Sequence, residues 1–549
     1  MDAGTEFART LSKFIALVSI VIVLAASMLL FSVVLDVKGD SSECFETVVE
    51  ENTSSTGCTS LSVSLTVSIP SLHKVDATCS PPTVAKGNQC ILDSDLRLGE
   101  TLGLAPFTRL NCQGHKLTPT RVGSPTVSSN PEVAVLLNNV NGVKVQNCDI
   151  EGFDFGVEIV NSKVAEDVRN DPKTLASLSN RILSNTITAR YGPVQILNAD
   201  NSEIKDNDIT LATGAGRGIA ILSDSDLNRI SNNKITGRTG SPEPLVILPG
   251  TSPYSAHTVG VVTSSLSFLP LINMRLGDTL VQIVWKGNET RPDNNLIDGN
   301  KIDMIDPSGH RLGIVLGDLD RGSVVRENIV LHPSVGIAAT ASPLGDRIVA
   351  GSCSLDPTRR STSDSDCFIL GIDATSKGVS TGTTTLPSFD TRSGGNLIEK
   401  NSLSSQGDGV QISLNYKSII RSNTITGSAR SAVLLADKGL ETATVARNII
   451  SGNAHGLFLI QTPESQFFGA KVSLNDITRS LALAIGANQG YTLPTELSVS
   501  GRGNYWGRSC SEGGFLPDDS PDYLLIKDSH PYGVTVATTS DQKIPKTCK

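Results

Sequence analysis

Apolar and polar positions recur along this chain in a short phrase that has no helical period. Ile398-Glu-Lys-Asn401-Ser-Leu403 is followed by Ile420-Arg-Ser-Asn423-Thr-Ile425, Val445-Ala-Arg-Asn448-Ile-Ile450 and Val472-Ser-Leu-Asn475-Asp-Ile477. The asparagines stand 22, 25 and 27 residues apart, too irregular for a helical solenoid and too short for a propeller blade. A second apolar phrase follows most of them, as in Gly409-Val-Gln-Ile412, Ser431-Ala-Val-Leu-Leu435 and Gly456-Leu-Phe-Leu459. Each unit therefore predicts two or three short strands rich in Ile, Val and Leu. A unit this small cannot bury its apolar face alone, so units must stack. The periodic Asn is expected to take the tight, often left-handed turn between strands and to hydrogen-bond along the stack.

The phrase also occurs upstream, at Ile182…Asn185…Ile187, Ile204…Asn207…Ile209, Ile230…Asn233…Ile235, Ile297…Asn300…Ile302 and Val325…Asn328…Val330. Leu110-Asn-Cys-Gln-Gly-His-Lys-Leu117 reads as a first coil and Val143-Lys-Val-Gln-Asn-Cys148-Asp-Ile150 as the next. Cys148 sits where later units carry Asn, which puts Cys112 and Cys148 on adjacent coils as a candidate disulfide. The fold class that follows is all-β, a right-handed parallel β-helix solenoid over residues 79–507, with a cap and tail over 508–549. Tyr505 and Trp506 are expected to cover its last coil. Two gaps break the repeat, 67 residues from Asn233 to Asn300 and 73 from Asn328 to Asn401. Leu245–Leu248 and Gly336–Ala339 read as second strands there, leaving insertions at about 249–294 and 341–395. The first insertion contains Leu280-Val-Gln-Ile-Val-Trp285, and a degenerate coil and a hairpin are both open. Long insertions from a solenoid commonly line its functional face.

The N-terminus has a different character. Residues 1–13 are short and polar, and Phe14–Leu35 carries no charge. A helix of that length would span the roughly 30 Å of a bilayer core. The expectation is a single-pass transmembrane signal anchor with the body outside the cytoplasm, periplasmic or at the cell surface. Residues 36–78, rich in Ser and Thr, then read as a stalk. The ten cysteines fall into near neighbours (Cys44 with Cys58, Cys79 with Cys90, Cys353 with Cys367, Cys510 with Cys548) and form no CxxC, which favours disulfides over thiol-bound metal. With net charge −9 and no basic run, nucleic acid is excluded as a partner, and an acidic polysaccharide needs local Arg or a cation to approach.

These units resemble the right-handed parallel β-helix repeats of the pectin-lyase-like superfamily, of carbohydrate-binding and sugar-hydrolase type. Asn111-Cys-Gln-Gly-His115 resembles the group's first coil, and Gly503-Asn-Tyr-Trp-Gly507 with Ser529-His-Pro-Tyr532 its terminal segment. The resemblance implies a polysaccharide or cell-surface glycan as partner, and a lyase, hydrolase or epimerase, with a non-catalytic scaffold or adhesin as the alternative. Its lyases neutralise a uronate carboxylate with a cation or Arg and remove the α-proton with a base. Its hydrolases use paired carboxylates. The tandem-Asp and Gly-His-Gly signatures of the pectin hydrolases are absent, as is the Asp-Pro-His of the alginate epimerases, and Asp518-Asp519 in the cap reads as surface charge. The densest polar set lies between the insertions, with Asp303, Asp306, His310, Asp318 and Asp320 as candidate catalytic residues beside Asp298, Arg326 and His332. Asp318 and Asp320 share a side of an extended piece, a geometry suited to calcium. Asp408, with no partner Asp, reads as a solvated turn residue, and His115 and His455 as turn or packing residues.

Overall fold

The computed structural model describes most of residues 89–340 and 394–548, with isolated strands before residue 89 and in 348–353. Residues 121–131, 238–257, 265–271, 285–292, 305–310, 317–319, 354–393 and 511–525, some shorter stretches and most of the first 88 residues lie outside that description.

Each repeat folds as one coil of a parallel β-helix. In the coil around Asn423, Ile419–Arg421 forms the first strand, Thr424–Thr426 the second and Ser431–Ala436 the third. Every one pairs in parallel with its equivalents one coil away. The first strands build a 13-stranded sheet, while the second and third join in a 23-stranded one. That junction exists because Asp149–Val160 and Thr186–Leu197 run through the corner without a break. The repeated apolar letters become columns. Ile398, Ile420, Val445 and Val472 stack in register on the first sheet, and each is at most 1% exposed. Fully burying such a side chain stabilises the fold by roughly 1.5–3 kcal/mol.

The sharp corner between the first and second strands carries the polar part of the phrase. The left-handed residue there is not the Asn but the one before it: Lys400, Ser422, Arg447 and Leu474 have φ between 55° and 60°. The kink places the following Asn side chain inside the coil, where Asn401, Asn423, Asn448 and Asn475 are at most 1% exposed. Oδ1 of Asn423 accepts from the backbone N–H of Asn401 at 2.9 Å and from its Nδ2 at 2.9 Å. Asn423 Nδ2 in turn donates to Asn448 Oδ1 at 3.0 Å and to the Ile398 carbonyl at 2.9 Å. The same exchange links Asn185, Asn207, Asn233, Asn300 and Asn328 to that series and continues from Asn475 to Asn504.

Both ends of this ladder are closed. At the start, Cys148 takes the Asn position and is disulfide-bonded to Cys112, while its N–H donates to Asn185 Oδ1. At the finish, the Asp528 carboxylate accepts from Asn504 N at 2.8 Å and from Trp506 Nε1 at 2.9 Å. Tyr505 and Tyr532 extend the row of Asp476, so the cap is built from truncated coils, with Trp506 buried as the sequence implied. Cys510 pairs with Cys548, and Cys90 is also disulfide-bonded. Cys44, Cys58, Cys79 and Cys367 lie outside the described residues.

Several expectations need correction. In the first gap, the third strand stacked between Gly216–Leu222 and Arg311–Leu316 is Thr258–Ser264, and Leu245–Leu248 lies outside the described residues. Leu280–Val284 is not a degenerate coil. It belongs to Thr279–Val284, in a three-stranded sheet with Ile272–Leu276 and Glu46–Val49. Glu46–Val49 and Thr279–Val284 fall wholly in a separate unit made of Met1–His73 and Met274–Asn288. The stretch read as a stalk contains strands there, since Ser32–Lys38 pairs antiparallel with Ser62–Ser68. Ser32–Leu35, the end of the expected membrane helix, is thus extended, and residues 14–31 lie outside the described residues. Among the described residues no helix is long and apolar enough to cross a membrane. In the second gap, Gly336–Ala339 falls within the third strand Val335–Thr340 as expected.

Replacing Asn423 with Leu would leave Asn401 N without its acceptor and remove one bond each from Asn401 Nδ2, Asn448 Oδ1 and the Ile398 carbonyl. At about 1–3 kcal/mol for each buried polar group left unpaired, the equilibrium unfolding midpoint should fall sharply. An unchanged midpoint would speak against the ladder.

Candidate functional site

Of the residues singled out between the insertions, those that are described engage separate partners. Asp303, on the second strand of its coil, meets His332 one coil on, with Oδ1 2.9 Å from Nδ1. Asp298 pairs with Arg326 at 3.3 Å and Arg229 at 3.7 Å on the first sheet. Asp320 is fully buried at a corner, where its Oδ2 accepts from Ser323 Oγ at 3.1 Å, so it is turned into the coil rather than onto an open floor. Asp306, His310 and Asp318 lie outside the described residues. Among the described residues no group of three or more His, Cys, Asp or Glu could hold a metal ion. Asp303 and Asp320 belong to no such group, and Asp318, the other carboxylate expected to bind calcium, lies outside the described residues.

A different set converges on the outward face of the third strands. Asp408 opens its strand in register with Val335 on one coil, and Ser431 and His455 pair with each other on the next two. Stacked strands are about 4.8 Å apart, so these three side chains form a row along the helix axis. Asp408 is 1% exposed. Its Oδ1 accepts from Ser431 N at 3.1 Å and from Ser431 Oγ, and its Oδ2 faces Arg430 Nη2 at 3.7 Å. The His455 ring lies 5.2 Å from that of Phe458. Gly486 permits this close packing, because a Cβ there would come within 2.5 Å of Phe458 and 3.1 Å of His455 Nδ1.

The turns that present this row are tied from inside. Ser405 Oγ donates to Ser428 Oγ at 3.1 Å, Ser428 N donates to Asn453 Oδ1 at 2.8 Å, and Asn453 Nδ2 reaches the Ile425 carbonyl at 3.0 Å. This short second ladder lies under residues 405–407, 428–430 and 453–454, and so fixes where Arg430 and His455 emerge.

Burial pushes the Asp408 carboxyl above the ordinary aspartate value, against the pull of Arg430, the Ser431 hydrogen bonds and His455. Burial and the Arg430 charge together hold the His455 imidazole below its ordinary value, against Asp408 and the Leu483 backbone. Both shifts favour the uncharged forms, with the Arg430 guanidinium as the charge they share. Three buried atoms of this set, Asp408 Oδ2, Arg430 Nη1 and His455 Nδ1, make no hydrogen bond among the described residues. Native proteins rarely leave such atoms unpaired, and here three of them gather on one face.

Sequence reasoning passed over Arg430 and set Asp408 aside as solvated, which its burial contradicts. A signal was present: aligning Gly407-Asp-Gly-Val410, Arg430-Ser-Ala-Val433 and Ala454-His-Gly-Leu457 on their apolar letter puts Asp408, Ser431 and His455 in one column.

A family model described as a right handed beta helix region matches residues 133–344 and 387–477. No curated protein matches the sequence. Similar solved structures include an alginate lyase from a Paenibacillus species, 12% identical, covering 71% of this chain and 92% of that one with a TM-score of 0.27. The tailspike protein of an E. coli bacteriophage in complex with a pentasaccharide is 9% identical, with 73% and 70% covered and a TM-score of 0.32. A surface adhesin of Streptococcus pneumoniae is 12% identical, with 73% and 84% covered and a TM-score of 0.31.

Proposed function

The chain belongs to the right-handed β-helix family, within the pectin-lyase-like superfamily, and from that premise we propose that it binds and modifies an acidic polysaccharide at the Asp408–Arg430–His455 row. The observation that carries the reading is the trio of buried polar atoms on that face that make no hydrogen bond among the described residues. Each costs free energy until a ligand or ordered water satisfies it. A uronate fits their chemistry. Arg430 pairs with the sugar carboxylate and neutralises it, which acidifies the proton on the adjacent carbon. The neutral imidazole of His455 takes that proton. The electron pair left on carbon forms a double bond as the neighbouring glycosidic oxygen departs and is protonated by water. Asp408, bonded to Ser431 and facing Arg430, positions the guanidinium.

A non-catalytic scaffold or adhesin is the second reading, and one feature favours it. Toward the N-terminal coils the same outward rows become apolar and buried, through Leu312, Val315, Val335 and Ala338, so part of this face is closed.

The protein is further proposed to act outside the cytoplasm, in the oxidising surroundings that suit its disulfides, held there by the apolar run that begins at Phe14. Fractionation should recover full-length chain with the membranes and outside the cytosol. Recovery from the cytosol would end this part of the proposal.

Polygalacturonate and alginate oligomers test the site. Arg430→Ala should weaken binding by about 1.5–3 kcal/mol, the worth of a hydrogen bond to a charged group. His455→Gln should leave binding near wild type while unsaturated product falls roughly 10²–10⁴-fold. Wild-type turnover should decline as pH drops below the depressed imidazole value, which lies under the ordinary 6.5, because protonation removes the base. Unaltered binding by Arg430→Ala would refute the site. Binding that needs Arg430 but yields no product would leave the scaffold reading.

A further inference from the structure

Far from that row, the outward face of the first sheet holds a cleft of about 400 Å³ lined by Phe107, Arg109, Lys144 and Arg181 beside Ala176 and Ser177. The parallel register puts Arg109, Lys144 and Arg181 at equivalent positions on three successive coils. At the strand spacing of about 4.8 Å they form a cationic row roughly 10 Å long. Glu203 closes the row on the next coil, 3.5 Å from Arg181 Nε. Neither Arg109 nor Lys144 makes an ion pair among the described residues. The protein as a whole carries −9, so this local concentration of positive charge runs against its average.

The walls of the cleft are built features. Phe107 is held in the left-handed region at φ 61° and stays 54% exposed, while its N–H donates to the Asn141 carbonyl at 3.0 Å. Its ring lies over Gly142, where a Cβ would come within 2.5 Å of it. The opposite wall is the short helix Pro172–Leu178. Arg169, just before it, is anchored to the buried Asp200 at 2.9 Å and to Asp226 at 3.1 Å, and Asn201 Nδ2 holds the Leu175 carbonyl at 2.6 Å. An exposed aromatic face beside three evenly spaced cations suits a chain that offers an apolar ring face and a repeated negative charge.

We infer that this cleft is a second binding site, for a polyuronate whose carboxylates meet Arg109, Lys144 and Arg181 and one of whose sugars packs on Phe107. It lies on a different sheet from the Asp408–Arg430–His455 row and does not depend on it. Its role is to hold polymer, with no bond made or broken.

Titration of the full-length protein with polygalacturonate tests the inference, run on wild type, Arg430→Ala, and the double variant Arg109→Gln with Lys144→Gln. Both substituted side chains project outward from the sheet, and circular dichroism would confirm the fold. The double variant should bind roughly 2–30-fold more weakly, the combined worth of two exposed ion pairs, and high salt should erase the difference. Phe107→Ala should weaken binding further, and neutral dextran should not bind there. Polygalacturonate affinity unchanged in the double variant, no binding by wild type, or dextran held as tightly would each overturn the inference. Loss confined to Arg430→Ala would overturn it while sparing the proposed active row. Loss confined to the double variant would support it and count against that row.

Discussion

Every coil of this molecule depends on one exchange of hydrogen bonds, in which an inward Asn serves the coil before it and is served by the coil after it. The left-handed corner that makes a coil tight leaves a backbone N–H pointing inward. Asn423 Oδ1 satisfies that group on Asn401, and Asn448 Oδ1 does the same for Asn423. No coil can close its own accounts, so the ladder couples stacking to turn formation and fixes the register of all the sheets together. The two terminations follow from the same need. A chain in which each Asn donates to the next needs an end that requires no further acceptor, which the Asp528 carboxylate supplies, and a covalent start, which Cys112 and Cys148 supply.

Because the interior is settled by the ladder and three apolar columns, the outward faces are free to vary. Function can then be written as rows, since residues separated by a full repeat become neighbours one strand apart. Asp408, Ser431 and His455 form one such row, and Arg109, Lys144 and Arg181 another. Each combines side chains that a local reading of the sequence keeps far apart. The serine and asparagine bonds beneath the turns at 405–407, 428–430 and 453–454 add rigidity where Arg430 and His455 emerge, so their geometry is set before any ligand arrives.

The phrase containing Asn was legible in the sequence because its cause is local: a tight corner, an inward amide and flanking β-branched residues. The disulfide from Cys112 to Cys148 was legible for the same reason, once Cys148 was seen in the Asn position. What failed depended on register over long separations. Leu245–Leu248 and Thr258–Ser264 are both aliphatic and suited to a strand, and only stacking against Gly216–Leu222 selects the second. The left-handed residue was placed one position late because Asn favours that conformation in general, whereas here its side chain is needed as an inward acceptor and Ser422 or Lys400 takes the strain. Asp408 looked solvated because nothing beside it in sequence buries it. Its surroundings come from Arg430, Ser431 and His455 on later coils. Asp320, conversely, sits among charged neighbours in sequence and yet turns inward to Ser323.

The central claim is that the row formed by Asp408, Arg430 and His455 receives an acidic sugar, and a crystal structure of the protein with a bound galacturonate trimer tests it most directly. The account predicts a sugar carboxylate paired with the Arg430 guanidinium and the adjacent ring hydrogen within reach of His455. Trimer bound elsewhere, with Arg430 Nη1 and His455 Nδ1 satisfied by ordered water or by the protein's own chain, would contradict it.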